Sequence, residues 1–257
     1  MGYCTLSRMM FFALLLPMVA SAQTLVSGAT QWAPYSYSDA NGEPRGIAVD
    51  VARQVLDSAG IEADFVFYPT NRLKLMEQQG RVDLNYADSP LWRDEPGGVP
   101  FLYSTPYLDV TEHLFFLAEH PAREVPLAHL SELNVGGVRG YRYPSLEEAF
   151  QAQRLVRLDT SREDALMELL MLGRVDAIVM TDDLFAYLLE TRGLNPALFI
   201  RGPLIGTAPV AIKLNPRHGH YLPDINAAIR TLLERGAVED IRRRFIQESA
   251  RGSLSAR

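Results

Sequence analysis

The segment RLKLMEQQGRVDLNY, Arg72 to Tyr86, and its counterpart ALMELLMLGRVDAIVM, Ala165 to Met180, decide the reading of the fold. Each opens with apolar residues at helical spacing: Leu73 and Met76 in the first, Ala165, Leu166, Leu169 and Leu170 in the second. Each then reaches a glycine, Gly80 or Gly173, of the kind that stands just past a helix, and runs on into a strand-like stretch. In the first stretch apolar residues alternate through Val82, Leu84 and Tyr86, whereas Val175 to Met180 is nearly continuous, as in a strand covered on both faces. The words Gly80-Arg81-Val82-Asp83 and Gly173-Arg174-Val175-Asp176 lie 93 residues apart at the same helix-to-strand junction. Two unrelated helix–strand turns would also produce them, but a pair of similar α/β halves is the organisation expected.

Working outward, Leu25-Val26 and Asp64 to Tyr68 read as strands flanking a helix that carries Val51, Ala52, Val55, Leu56 and Ala59 and stops at Gly60. Ser145-x-x-Glu148 and Thr160-x-x-Glu163 have the form of capping boxes. Near the C-terminus Ile225, Ala228, Ile229, Leu232 and Leu233 mark a helix ending at Gly236. A further one carries Val238, Ile241 and Phe245, with Arg242, Arg243 and Arg244 expected on its solvated face.

The chain has 257 residues, of which 47% are hydrophobic and 22% charged, enough to bury a core and too polar for a polytopic membrane protein. A net charge of -6 argues against nucleic acid as a partner. Residues 1–22 read as a signal peptide: Arg8, the apolar run Met9 to Leu16, and Ala20-Ser21-Ala22 as a cleavage site after Ala22. The apolar run is too short for a spanning helix, which needs about 20 residues. Export to the periplasm is therefore expected. Cys4, the one cysteine, falls in this leader, so disulfides, thiolate nucleophiles and cysteine-held zinc play no part in the mature chain.

Trp32-Ala33-Pro34-Tyr35-Ser36-Tyr37, Asn41-Gly42 and Gly46-Ile47-Ala48-Val49-Asp50-Val51-Ala52, followed by Gly80 to Asp83, Tyr103 to Tyr107, Leu130 to Leu133, Val135 to Gly140, Gly173 to Ala177 and Gly236 to Phe245, together resemble the family-three extracellular solute-binding proteins, the periplasmic components of polar amino-acid ABC uptake systems. The resemblance spans nearly the whole mature chain. It implies an α/β, two-lobe periplasmic-binding-protein-like (type II) fold with two chain crossovers. Lobe one would hold residues 23–108 and 209–257, lobe two residues 109–208, with crossings near Tyr107 to Glu112 and Ile205 to Pro209. A small polar or charged, amino-acid-like solute would sit between the lobes. The partners implied are that solute and, transiently, an inner-membrane ABC permease; the protein would be a monomer without a cofactor or metal.

By the same resemblance Trp32 packs against the ligand side chain, and Arg93, after the polar loop holding Asp88 and Ser89, pairs with a ligand carboxylate. A buried carboxylate needs such a charge-assisted partner, and arginine offers a bidentate fork. Asp83 to Arg93 is two residues shorter than the family's spacing, and Arg72, at a helix start, is the competing cation. In lobe two the loop before the helix at Ser145 offers Arg139, Tyr141 and Arg142. The family's acid for a ligand α-amino group falls on Thr181, so that Asp182 either takes the role or only N-caps the next helix.

No nucleophile elbow, zinc helix, P-loop or calcium loop is present, and His218-Gly219-His220 is a weak metal pair expected in a surface loop. Some relatives of this architecture, the cyclohexadienyl dehydratases, catalyse elimination. Asp88 or Asp182 as a general acid is thus the enzymatic alternative, and a sensor feeding a signalling receptor is another.

Overall fold

The computed structural model describes residues 24–92 and 100–245. The leader, Arg93 and the Pro-Gly-Gly segment that follows it lie outside the described residues. In chain order the elements are β1 (Leu25–Ala29), the short pair β2 (Tyr37–Ser38) and β3 (Pro44–Arg45), α1 (Ile47–Ser58), β4 (Ala63–Phe67), α2 (Thr70–Gln78), β5 (Leu84–Asp88), β6 (Leu102–Tyr103) and β7 (Leu108–Leu117). There follow β8 (Leu133–Val138), α3 (Pro144–Gln151), β9 (Leu155–Thr160), α4 (Asp164–Met171), β10 (Ala177–Thr181), α5 (Asp182–Thr191), β11 (Phe199–Leu214), α6 (Leu222–Glu234) and a last helix, α7, across residues 237–245.

The main strands form one hydrogen-bonded path, β4-β1-β5-β11-β7-β10-β8-β9, with β6 also on β11. β1 pairs in parallel with β4 and β5, and β8 with β9 and β10. The long strands β7 and β11 join these two parallel groups. They pair with each other from Leu108 opposite Val210 to Leu117 opposite Phe199. Beyond that ladder β11 turns to β5 and β6 through Ala211, Lys213 and Leu214, while β7 gives its other edge to β10. The segments expected to cross between halves lie side by side in it, with Glu112 opposite Gly206 and Asp109 opposite Pro209. This is the two-lobe α/β architecture with two crossovers that the sequence suggested.

The repeated word has a physical reason in both places. Gly80 and Gly173 stand at φ 66° and 62°, a conformation that closes the preceding helix by directing the N–H of Arg81 to the Met76 carbonyl (2.8 Å) and that of Arg174 to the Leu169 carbonyl (2.9 Å). Each aspartate then clamps the first strand of its own half. Asp83 donates its N–H to the Val26 carbonyl (2.9 Å) and accepts the Val26 N–H on Oδ2 (2.8 Å). Asp176 does the same with Asn134, at 2.8 and 2.7 Å.

The two clamps differ in burial. Asp83 Oδ1 also meets Arg217 and, at 2.7 Å, Nε2 of His218, which is 7% exposed. His218 is thus a buried partner of Asp83, not a surface metal ligand, and the described residues contain no group of three potential metal-binding side chains. Burial alone would raise the Asp83 carboxyl, but hydrogen bonds from Arg217, the Val26 amide and His218 outweigh it and hold the group below its ordinary value of 3.8. Asp83→Asn is expected to cost about 3 kcal/mol and Asp176→Asn, half-exposed, about 1 kcal/mol, in urea denaturation. A depressed carboxyl stabilises above its unfolded pKa and stops doing so as pH falls through its folded one, so the Asp83→Asn deficit should fade below about pH 4. Equal costs for the two variants would contradict this account.

Apolar packing follows the periodicities. α1 buries Ile47, Ala48, Val49, Val51, Ala52, Val55 and Leu56, and α6 buries Ile225, Ala228, Ile229 and Leu232. In the second half Leu114, Phe116, Val135 and Val179 meet Leu146 and Ala149 of α3 on one sheet face. Met180 and Ile178 meet Leu166, Leu170 and Leu184 on the other. No helix among the described residues is long and apolar enough to cross a membrane.

Three local expectations are corrected. Pro144 occupies the first turn of α3, which puts Ser145 inside the helix, where its hydroxyl donates to the Ile205 carbonyl (2.7 Å) instead of capping. Thr160 belongs to β9 and donates to the Arg162 carbonyl (2.7 Å), so it does not cap α4 either. Arg242 is not on a solvated face: it reaches Asp183 at 2.9 Å and ties α7 to α5. Arg243 and Arg244 are exposed.

Candidate functional site

The carboxyl ends of the parallel strands in the two halves face each other, the position where open α/β sheets gather ligands. From the first half come Thr30 and Trp32 after β1, Thr70 and Asn71 after β4, and Asp88 and Ser89 at the end of β5. From the second come the loop Arg139 to Tyr143 after β8, Glu163 after β9, Thr181 at the end of β10, and Glu112, which lies opposite Thr181 on β7. The halves touch here. Gly140 packs against the Asn71 side chain and Thr70, Lys74 Nζ donates to the Gly140 carbonyl (3.2 Å), and the Tyr141 side chain lies beside Thr30.

The local sequence explains these placements. Tyr141 N–H donates to the Val138 carbonyl (3.0 Å), forming a tight turn through Gly140 at φ 86°. Arg157 of β9 fixes the loop by donating to the Val138 and Tyr141 carbonyls, at 2.8 and 3.0 Å. The Tyr141 phenol lies beside Thr30 of the first half and Glu163 of the second.

The expected site residues are distributed unevenly around this junction. Trp32 is at the end of β1, but its ring is 5% exposed, 4.3 Å from Tyr35 and edge-on to Trp92 at 5.7 Å. It is packed as core, and its indole N–H has no hydrogen-bond partner among the described residues. Arg72 is exposed, with its guanidinium 5.9 Å from the Tyr68 ring. Asp88 is ion-paired to Lys213 (2.9 Å), and buried Ser89 accepts the Leu91 N–H (3.3 Å), so both shape the rim of the loop. Arg139 and Arg142 are exposed on either side of the half-buried Tyr141.

Thr181 is buried and caps α5, its hydroxyl accepting the Leu184 N–H at 3.4 Å. The cap is therefore Thr181 and not Asp182. Asp182, the first residue of α5, pairs with His113 (2.8 Å) and Arg201 (3.2 Å). Its neighbour Asp183 receives the Tyr35 hydroxyl (2.8 Å) and Arg242. Both acids at this position are committed to protein partners.

Two residues not anticipated from sequence complete the junction. Glu112 is half-buried, and its partial loss of solvent pushes its carboxyl up to about 7. Glu163 is raised well above the ordinary value, first by burial and then by the charge of Glu112, against a hydrogen bond from Tyr141 that lowers it. The signal for Glu112 was a lone carboxylate in register with Leu114 and Phe116 on an otherwise apolar strand face. Glu163 was hidden in an apparent capping box.

The sequence profile of the bacterial extracellular solute-binding proteins, family 3, matches residues 25–248. No curated protein sequence matches the chain. Among solved structures, similarity extends to a histidine kinase sensor domain resembling periplasmic binding proteins, at 20% identity over 87% of this chain and 96% of that one, with a TM-score of 0.75. It extends to the amino acid ABC transporter substrate-binding protein AbpA of Streptococcus pneumoniae bound to L-arginine, at 16% identity over 89% and 96% of the two chains (TM-score 0.72). It also includes an ancestral amino acid-binding protein described as a precursor of cyclohexadienyl dehydratase, at 14% identity over 88% and 95% (TM-score 0.69). At these identities the likeness speaks for the fold, the type II periplasmic-binding-protein architecture.

Proposed function

The chain belongs to the bacterial extracellular solute-binding proteins of family 3, and from that premise we propose that it captures a small polar or charged, amino-acid-like solute between its lobes and presents it to an inner-membrane ABC permease. The observation that carries this reading is the meeting of Gly140 and Tyr141 with Asn71, Thr70, Lys74 and Thr30. A solute held there touches both halves, so its binding energy favours the closed arrangement over an open one. Closure also removes water from around the polar contacts and strengthens them. The lobes divide near residues 108 and 208, the leader directs the mature monomer to the periplasm, and Arg93 is the clamp for a solute carboxylate.

A screen of the mature protein by thermal shift against amino acids, amines and small carboxylates tests the reading. At a hundred times Kd a ligand adds about 2.7 kcal/mol, or roughly 5–10 °C for a chain of this size, and X-ray scattering should show the same ligand compacting the protein. A protein that answers to none of these solutes would refute the proposal. A catalytic reading would take Glu112, a half-buried carboxyl at the end of the second half's strands that desolvation pushes up to about 7, as its proton donor. Asp88 and Asp182, the acids first considered, are held in ion pairs. Turnover of prephenate by the purified protein, lost in Glu112→Gln, would favour that reading over transport.

A further inference from the structure

We propose that Asp183, Tyr35 and Arg242 form a latch between the two halves, one that weights the ligand-free protein toward the closed arrangement and so sets the affinity open to a solute. The inference needs the two-lobe fold and no particular solute. α5 joins β10 to β11 and belongs to the second half, whereas Tyr35 follows β1 and α7 follows the second crossing, both in the first. Asp183 Oδ2 accepts the Tyr35 hydroxyl at 2.8 Å, and Oδ1 accepts Arg242 Nη2 at 2.9 Å. One turn further along α5 the Tyr187 ring lies 6.2 Å from that of Tyr37, again across the halves.

Helix periodicity separates two tasks of α5. Leu184, Phe185 and Leu188 are buried, and Phe185 stacks on Phe115 of β7 at 3.8 Å between ring centres and meets Phe199 of β11 edge-on at 5.5 Å. These contacts fasten the helix to the second half. Asp183 and Tyr187, four residues apart, share a different face that meets the first half. The receiving groups are equally fixed. The Tyr35 carbonyl accepts the Ala48 N–H of α1 at 2.8 Å, the Ser36 hydroxyl is 2.7 Å from that of Tyr86 in β5, and Tyr35 itself is 1% exposed. α7 buries Val238, Ile241 and Phe245. A hydrogen bond is lost beyond about 3.5 Å, and a packed phenol cannot follow a carboxylate that moves with the other half. The Tyr35 bond therefore exists in one relative placement of the halves and is broken by opening.

The latch acts without touching the solute. α5 packs against β7, a crossing strand, whereas the Gly140–Asn71 contact joins the loop after β8 to the helix after β4, farther along the sheet from the crossing. The Asp183 side chain is 13% exposed and that of Arg242 33%, and charge-assisted bonds at such depth change an equilibrium between states that keep and lose them by about 10–100-fold. Arg242 Nε is buried without an acceptor among the described residues, which opposes part of that gain. Closure is thus weighted without being locked. Apparent affinity scales with the fraction of molecules already in the binding-competent form, so a solute binds more tightly than its own contacts dictate.

The test measures the separation of the halves in the mature protein without solute. Leu75→Cys on α2 and Glu148→Cys on α3, both at exposed positions, carry spin labels on the helices that flank the Asn71–Gly140 contact, and electron resonance gives their distance distribution. The parent is expected to show one dominant short distance. Tyr35→Phe, which removes a single hydroxyl, and Asp183→Ala should each add a longer one, with the closed-to-open ratio reduced by about 10-fold or more. Tyr35→Phe should add nothing further in the Asp183→Ala background. Arg192→Gln, which removes pairs to Asp164 and Glu168 inside the second half, should leave the distribution unchanged. An unchanged distribution in both latch variants, equal opening in Arg192→Gln, or a parent that is already open overturns the latch. So does a lower melting temperature without opening, the mark of a contact that only braces fixed packing. Calorimetry with L-arginine, L-glutamine and L-glutamate provides a second reading: any of these that binds the parent should bind Tyr35→Phe less tightly, and undiminished affinity overturns the latch. Binding of none of them counts against the solute reading and leaves the latch to be decided by the distances.

Discussion

Gly46→Ala is expected to remove more than about 4 kcal/mol of stability, a large part of the roughly 5–15 kcal/mol that holds a folded protein together. Gly46 stands at φ 132° and ψ 165°, a region open to glycine almost alone. A Cβ there would also enter the van der Waals envelope of the Tyr35 carbonyl, and because that neighbour is backbone, no rotamer change relieves the overlap. The closeness has a purpose. The orphan N–H groups at the start of α1 find their acceptors in this turn: Ile47 donates to the Pro34 carbonyl (3.0 Å), and Ala48 (2.8 Å) and Val49 (3.4 Å) to that of Tyr35. Moving Gly46 away therefore frees the first turn of a helix with seven buried residues and shifts Trp32 and Tyr35 at the end of β1. Gly42→Ala is the control, since φ is 85° there but a Cβ would meet nothing within 4 Å, and a loss near 1 kcal/mol is expected. Chemical denaturation of both variants measures the difference. A Gly46→Ala loss no larger than that of Gly42→Ala would mean that the turn adapts and does not dictate the start of α1.

The stretch from Trp32 to Ala52 was readable as a unit because its constraints are local: a turn, a glycine and an apolar helical face, all within about twenty residues. The same holds for Gly80 to Asp83 and Gly173 to Asp176, where the helix stop and the aspartate clamp are set by neighbours in one half. What stayed hidden depends on long-range partners. Arg242, set among arginines in an amphipathic helix, looked solvated until Asp183 of another helix was brought to it. His218 looked like half of a weak surface pair because nothing near it in sequence announces Asp83. Trp32 was placed correctly at a strand end, but the rings of Tyr35 and Trp92 that enclose it are fixed by tertiary packing. At the candidate site the loop Arg139 to Tyr143 was legible from its glycine and the helix after it. Glu112 was not, because a carboxylate on an apolar strand face becomes meaningful only when Thr181 of β10 is seen beside it.

Lys213→Met should be the most damaging change of a charged side chain, at about 3–5 kcal/mol near pH 8. Lys213 leaves β11 where that strand turns to β5, and its ammonium lies 2.8 Å from Glu77 and 2.9 Å from Asp88, with the Phe101 ring centre at 4.6 Å. All three charged side chains are largely buried, with Glu77 of α2 the most enclosed and also receiving Asn85 Nδ2 at 3.0 Å. Burial would lower the Lys213 pKa, yet the charges of Asp88 and Glu77 outweigh it and raise the group. Burial raises the Glu77 carboxyl above its ordinary 4.5, with Lys213 opposing. Methionine fills the volume but leaves two carboxylates facing each other without a cation, so Glu77 rises further. A carboxyl whose folded pKa lies above its unfolded one is harmless below the unfolded value and destabilises as pH climbs through the folded one, so the deficit should be largest at pH 8 and smaller at pH 5. Glu77→Gln in the Lys213→Met background should recover part of it by removing one charge while keeping an acceptor for Asn85. The consequence reaches the cleft, because Asp88 accepts the Ser89 N–H (2.6 Å) at the very end of β5. Once Asp88 loses its cation, the loop that forms the first lobe's rim loses its side-chain tie to the crossing strand, and solute affinity should fall along with stability. A Lys213→Met protein whose stability is independent of pH between 5 and 8 would show that the two carboxylates are not confined as described.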